Sequence, residues 1–196
     1  MKKLILAAVA LVITFSVAQA QTSTSGVKVK VNVELNPFQS IEIGSGVVPG
    51  AAPAGYDDAV TLRYKTAADY KHGVDTLVQR QLKVSSVGSG YRVKAALSSG
   101  GKFIKELGNG QADYDASQLL EIAVGGKASQ TAAANLDFGP FGQTSDAGSS
   151  VLDQELDVKY IGKPLNEDTV KKLLGNGGKD SKAVYTVDVV YTIAAN

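Results

Sequence analysis

Apolar and polar residues alternate most strictly near the C-terminus, over Ala183–Ala195 (AVYTVDVVYTIAA). The residues of one face are aromatic or β-branched: Tyr185, Val187, Val189, Tyr191 and Ile193. The other face includes Asp188 and threonines, which favour contact with water. Alternation at period two is typical of a strand with one buried face. The pattern therefore predicts a single C-terminal strand whose Tyr185–Ile193 face packs in the core.

A second strict alternation covers Val27–Leu35 and ends at Asn36-Pro37, a pair of residues that breaks strands. The apolar face consists of Val27, Val29, Val31, Val33 and Leu35. Two interpretations are open. The segment is either the chain's own first strand, with Lys28 and Lys30 guarding an edge against wrong pairing, or a strand that pairs with another subunit. Both interpretations require the same alternation.

Shorter alternating runs predict further strands. They cover Phe38–Ile43, Ala59–Tyr64, Leu77–Val87, Tyr91–Leu97, Leu119–Val124 and Val151–Ile161. Gly88-Ser89-Gly90 is typical of a hairpin turn. Thr66–Gly73 predicts a connector with one helical turn. Short strands with glycine-rich turns favour an all-β fold, and we expect a two-layer antiparallel β-sandwich of the immunoglobulin or pilin type. An open barrel is the alternative.

One short helix is predicted near the C-terminus, over Asn166–Leu174. Asn166 is a good N-cap, Glu167 and Asp168 suit the first turn, and Gly175 ends the helix.

The N-terminus has the pattern of a secretory signal peptide. Met1-Lys2-Lys3 is basic, Leu4–Val17 is apolar, and Ala18-Gln19-Ala20 is a small-residue cleavage site. The apolar run is shorter than the roughly 18 residues that span a bilayer. We therefore expect cleavage after residue 20, export to the periplasm or bacterial cell surface, and a single domain over residues 21–196 with a flexible tail at 21–26.

Composition narrows the choice of partners. The net charge of +1 falls to −1 when Lys2 and Lys3 are removed, and a near-neutral chain does not suit nucleic-acid binding. The sequence has no cysteine, so the stability of an exported domain must come from packing and sheet hydrogen bonds.

No catalytic, cofactor-binding or metal site is predicted. His72 is the only histidine, and the usual zinc sites need several histidines or cysteines. A catalytic triad would have to use His72, but the sequence has none of the motifs that accompany such a triad. The acids Asp153, Glu155 and Asp157 share a strand face and Asp113 and Asp115 share a loop, but neither spacing matches a calcium loop. We interpret them as solvated acids and the protein as a non-enzyme.

The aromatic residues of Phe138-Gly139-Pro140-Phe141 have two interpretations. They form either an exposed binding tip or a plug that covers one end of the sandwich, and the plug is favoured because isolated loop aromatics usually become buried. Tyrosines such as Tyr56, Tyr70 and Tyr114 offer rings on which sugars could stack.

The alternating first segment, the cysteine-free body and the ending Tyr185–Ile193 resemble secreted bacterial pilin-like β-sandwich subunits of the spore-coat-U and fimbrial type. Tyr191-Thr192-Ile193 also resembles the Trp-x-Leu motif of WxL cell-wall-binding domains. The pilin resemblance implies a surface structural or adhesive protein that assembles with itself or a related subunit by strand addition through Val27–Leu35. A monomeric module that binds glycans or cell wall is the alternative function.

Overall fold

The computed structural model describes residues 28–142, 147–176 and 182–196. The predicted signal peptide, the tail at 21–26 and Val27 lie outside the described residues. Contacts divide the chain into two units, Met1–Glu34 and Leu35–Asn196. All strands and helices found in the described residues belong to the second unit.

The described residues form eleven strands and three short α-helices. The strands are β1 (Phe38–Ile43), β2 (Val74–Val87), β3 (Tyr91–Leu97), β4 (Lys102–Leu107), β5 (Asp113–Asp115), β6 (Leu120–Val124), β7 (Gln130–Thr131), β8 (Asn135–Asp137), β9 (Val151–Gly162), β10 (Val184–Thr186) and β11 (Val189–Ala195). The helices are α1 (Ala67–His72), α2 (Ala116–Leu119) and α3 (Glu167–Leu174). The predicted C-terminal helix is thus confirmed, with Asn166 as its N-cap and Gly175 as its C-cap.

The strands form three antiparallel sheets, which confirms the all-β sandwich-like fold. The largest sheet has the order β1-β2-β9-β6-β7, and the smaller sheets have the orders β11-β3-β8 and β10-β4-β5. The core lies between the five-stranded sheet and β11-β3-β8. Its side chains come from alternate positions of the facing strands, as the period-two patterns require. Those that are almost completely buried include Val84, Tyr91, Val93, Ile122, Val124, Phe138 and Val158.

The aromatic loop after β8 packs into the core. Phe138 is 1% exposed and Phe141 is buried. The ring of Phe141 stacks on the ring of Tyr91 at 5.1 Å between centroids and 8° between planes. The plug interpretation of this loop is therefore confirmed, and the binding-tip interpretation is wrong.

The predicted C-terminal strand is in fact two strands in different sheets. β10 pairs with β4 and β11 pairs with β3, with a break at Val187 and Asp188. The main chains of Ser98 and Asp188 share a hydrogen bond of 2.9 Å, and the Ser98 hydroxyl accepts a second one from the Asp188 amide. These bonds hold a corner at which both chain segments pass from one sheet to the other.

The predicted face of this segment survives the break only in part. Val187, Val189, Tyr191 and Ile193 are partly buried and pack against the core. Tyr185 lies in β10, where its hydroxyl donates to the main-chain oxygens of Gln111 at 2.9 Å and Leu173 at 3.0 Å. The phase of the alternation was therefore predicted correctly, but not its continuity.

The two faces of β11 are expected to respond differently to a buried charge. Val189→Asp places a carboxylate against the core and is expected to lower the free energy of unfolding by about 1–3 kcal/mol. Val190→Asp introduces the same charge at a position that is 59% exposed and is expected to cost less than about 1 kcal/mol. Thermal unfolding of both variants checks the difference, and equal melting temperatures would contradict the assigned faces.

Two other predictions about the chain path are wrong. Gly88-Ser89-Gly90 does not close a hairpin, because β2 pairs with β1 and β9 while β3 pairs with β11 and β8. The turn instead carries the chain from one layer to the other. Ala59–Tyr64 forms no strand, although Val60 and Leu62 pack against the core as its alternation predicted.

Candidate functional site

The alternating segment Lys28–Leu35 is not a strand in the structure. Its apolar side chains are among the most exposed of the described residues, with Val29 77%, Val31 79%, Val33 81% and Leu35 85% exposed. The interpretation of this segment as the chain's own first strand is therefore wrong for residues 28–35. A monomer in water leaves this apolar row without the burial that alternating apolar residues normally obtain.

The ladder between β1 and β2 ends where β1 begins. β1 runs antiparallel to β2, and its first residue, Phe38, lies opposite Val87, the last residue of β2. The β1–β2 ladder therefore has no residue left on β2 with which the chain before Phe38 could pair in register. The sequence interrupts strand pairing at the same point, because Pro37 has no amide hydrogen to donate.

The other end of β1 is fixed by a bulge in β2. Val78 pairs with Val158 of β9, and the next paired residue of β2 is Leu82, opposite Leu156. The stretch of β2 between these two pairs is therefore longer than the stretch of β9 that it faces. Arg80 lies in the bulge with a φ of 50°, and its amide donates to Asp157 Oδ1 at 2.7 Å. The Asp157 carboxylate thus satisfies a main-chain donor that the bulge removes from the ladder.

Two glycines bring the chain against this bulge and then turn it away. The amides of Gly44 and Gly46 donate to the carbonyl oxygens of Gln81 at 2.7 Å and Arg80 at 3.0 Å. A Cβ atom at Gly44 would overlap the Arg80 carbonyl, so only glycine permits this approach. The nearby Glu155 carboxylate accepts from the Ser45 amide, and hydrogen bonds from Ser45 lower the pKa of Glu155. The chain that contains β1 therefore pairs with β2 only as far as Arg80 and then turns away from it.

One side of the first half of β2 has no main-chain partner among the described residues. Val74–Val78 pairs with Gly162–Val158 of β9 on one side. On the other side, none of the described residues makes a ladder or a main-chain hydrogen bond with Val74–Val78. We call Val74–Val78 the open edge. Side chains at 74, 76 and 78 are half-buried, whereas Asp75 and Leu77 face solvent.

Residues 58–64 lie beside the first half of β2. At one end, the Asp58 carboxylate accepts a hydrogen bond from Gln81 Nε2 at 2.7 Å. At the other end, Tyr64 and Val74 both lie against Gly162, where an added Cβ atom would be 3.1 Å from Tyr64 Cζ and 2.9 Å from Val74 Cγ2. Residues 58–64 thus run antiparallel to β2. Among the described residues, none makes a main-chain hydrogen bond with the backbone of residues 60–64. Sheet-forming groups of two neighbouring segments are therefore unpaired in this region.

A buried polar network lies under residues 58–64. The Tyr160 hydroxyl donates to Gln81 Oε1 and lies 3.0 Å from the hydroxyl of Tyr191. Burial raises the pKa of both tyrosines, and for Tyr191 the adjacent Tyr160 adds to the rise. The Gln81 side-chain amide donates a hydrogen bond to the Asp58 carboxylate, which extends the network to residue 58. With every group bonded, the network is a positioning element for the 58–64 segment and offers no free nucleophile or base.

The structure does not bring the other candidate residues together. His72 is exposed at the end of α1, and Asp115 caps α2. The acids of the β9 face are each paired with β2: Asp153 approaches Lys83, Glu155 approaches the Arg80 side chain, and Asp157 accepts from the Arg80 amide. Within the described ranges, no group of three or more His, Cys, Asp or Glu side chains is placed to hold a metal ion.

A shallow cavity of about 230 Å³ lies beside the start of β2 and the end of β9. Its lining includes His72, Glu121 and Lys163. The charged side chains of the lining are largely neutralised in pairs, since Lys163 contacts Glu121 and Lys159 contacts Asp75. The tyrosines considered for sugar stacking do not gather around it: Tyr56 binds Asp188, Tyr70 lies against Tyr64, and Tyr114 binds Thr169.

Comparison with known proteins adds no assignment. A scan of protein-family models and a search of curated proteins found no match to this chain. The described residues contain no helix long and apolar enough to cross a membrane.

Proposed function

We propose that this protein is an exported structural subunit of the bacterial surface, which assembles into filaments by donating residues 27–35 as a strand to another subunit. The observation that carries the proposal is the exposure of Val29, Val31, Val33 and Leu35 in strict alternation with polar residues. A solvated apolar row with strand periodicity suits a segment whose burial is completed by a partner.

The energetics of strand addition favour such a segment. Each fully buried valine or leucine side chain contributes about 1.5–3 kcal/mol relative to exposure, so the four described apolar residues together contribute about 6–12 kcal/mol before the costs of association and ordering. Main-chain hydrogen bonds to a sheet edge add to this, and the alternation fixes the register. Lys28, Lys30 and Glu34 on the opposite face keep the free segment soluble.

Negative-stain electron microscopy of the purified chain from Gln21 onward tests the proposal. We expect filaments or short linear oligomers at micromolar concentrations, because each subunit carries both a donor segment and sheet edges. Monodisperse single particles at high concentration would overturn the proposal and favour the monomeric glycan-binding alternative.

A further inference from the structure

The proposed donation requires a recipient, and the structure offers one edge that suits it. Resting on the proposed function, we propose that the open edge Val74–Val78 of one subunit pairs with residues 28–35 of a second copy of the chain. The added strand pairs with the side of β2 that β1 does not cover beyond the bulge at Arg80, next to residues 58–64, and the backbone of residues 60–64 also makes no main-chain hydrogen bond among the described residues.

Other sheet edges are less suitable. The terminal strands β7, β8, β5 and β10 have two or three residues each, which is too short to bind a segment of this length. The longer outer strands β1 and β11 pack close to each other at the side of the sandwich, so they leave less room for an added strand. The open edge has five consecutive residues in ladder conformation, each with its other side already paired to β9.

The pattern of side chains predicts an antiparallel register. All described strand pairs in this fold are antiparallel. An antiparallel partner that places Val31 opposite Thr76 also places Val29 opposite Val78 and Val33 opposite Val74. These partners share the half-buried face of β2. Alternate apolar residues of the donor then continue the core face of the five-stranded sheet.

Charge disfavours one neighbouring register. With Val31 opposite Thr76, the outward residues Lys30 and Asn32 lie opposite Leu77 and Asp75. A shift of two residues that brings Glu34 opposite Asp75 would place two carboxylates side by side, which is destabilising in a cross-strand pair. The salt bridge between Asp75 and Lys159 remains possible in the favoured register.

Disulfide trapping tests the recipient directly, because the chain contains no cysteine of its own. One sample of the chain carries Lys30→Cys and a second, differently tagged sample carries Leu77→Cys. Opposite residues of antiparallel strands have Cα atoms about 4.5–5.5 Å apart, within the range that a disulfide spans. We expect mild oxidation of the mixture to give a mixed disulfide between Cys at 30 and Cys at 77, identified by peptide mass mapping.

The matched control replaces the recipient with Val190→Cys, an exposed position on β11. We expect at least about tenfold less mixed disulfide with position 190 than with position 77, as preferred docking at one edge requires. Equal or greater trapping at position 190 would overturn the recipient while leaving strand donation in place. Filaments that form without any trapping at position 77 would likewise overturn the open edge as the recipient and leave strand donation in place. Absence of all self-association would instead overturn the proposed function itself.

Discussion

Val31→Asp is expected to abolish filament formation without lowering the stability of the folded domain. Val31 is 79% exposed in the monomer, so the new carboxylate remains in water before assembly. In an added strand the same residue is turned toward the sheet, where an unpaired charge costs several kcal/mol. Every 1.4 kcal/mol changes an equilibrium constant tenfold, so we expect association to weaken by at least about a hundredfold.

Asn32→Lys is the matched control for this experiment. It adds a single charge one residue later, on the face that the alternation assigns to solvent and opposite Asp75 in the proposed register. We expect Asn32→Lys to assemble nearly as the unmodified chain does. Sedimentation velocity across a concentration series measures association, and circular dichroism melting measures stability. Loss of assembly in both variants, or in neither, would contradict the assigned donor face, while a lower melting temperature for Val31→Asp would indicate an intramolecular role.

Phe138→Ala is expected to cause the largest loss of stability among single aromatic truncations. The side chain is 1% exposed and lies in the main core, so its removal leaves a cavity that the surrounding strands can fill only in part. Truncation of a buried phenylalanine typically costs about 3–5 kcal/mol. That loss is a large share of the roughly 5–15 kcal/mol by which such a domain is stable. Urea unfolding measures the change.

Phe38→Ala removes the same number of atoms from a residue that is 48% exposed at the start of β1. We expect this control to cost about 1 kcal/mol or less, because much of the ring is already in contact with water. A similar loss for both variants would show that the loop around Phe138 is not part of the cooperative core.

Much of the local structure was predictable because it depends on neighbouring residues. The bounds of β1 and β3 follow from alternation bounded by strand-breaking residues. The bounds of α3 follow from the Asn166 cap and the stop at Gly175. The buried plug at Phe138 was predicted from the energetic cost of exposing loop aromatics.

The remaining features depend on pairing between distant segments, which a single sequence does not encode locally. Alternation continues through Val187 and Asp188, yet the strand breaks there because Ser98 binds the Asp188 main chain from another part of the sequence. Within the described residues, Lys28–Leu35 and Ala59–Tyr64 show the same pattern as true strands but lack a ladder partner. Periodicity reports a preference for a pleated, half-buried surface, whereas a strand also needs a free neighbouring edge.

The open edge was not predicted, although it left one signal in the sequence. β2 is a 14-residue strand and β1 has 6 residues, so one side of β2 must remain partly uncovered by β1. Gly44 and Gly46 mark the place at which β1 stops. Their role as close-approach residues becomes apparent only once the bulge at Arg80 is known, because nothing in the sequence of β2 identifies Arg80 as a residue of positive φ.

The pairing of β11 with β3 has a consequence for how the protein reaches its fold. Val189 pairs with Leu97 and Ala195 with Tyr91, so the sheet that covers the main core is closed by residues far apart along the chain. Loop closure of this length must precede any stabilising contact, and folds dominated by such pairings typically take milliseconds to seconds to form. During synthesis, the edge of β3 that pairs with β11 would therefore stay unpaired until the C-terminal residues emerge. A chaperone that shields this edge in the interval would act on the slow step of folding.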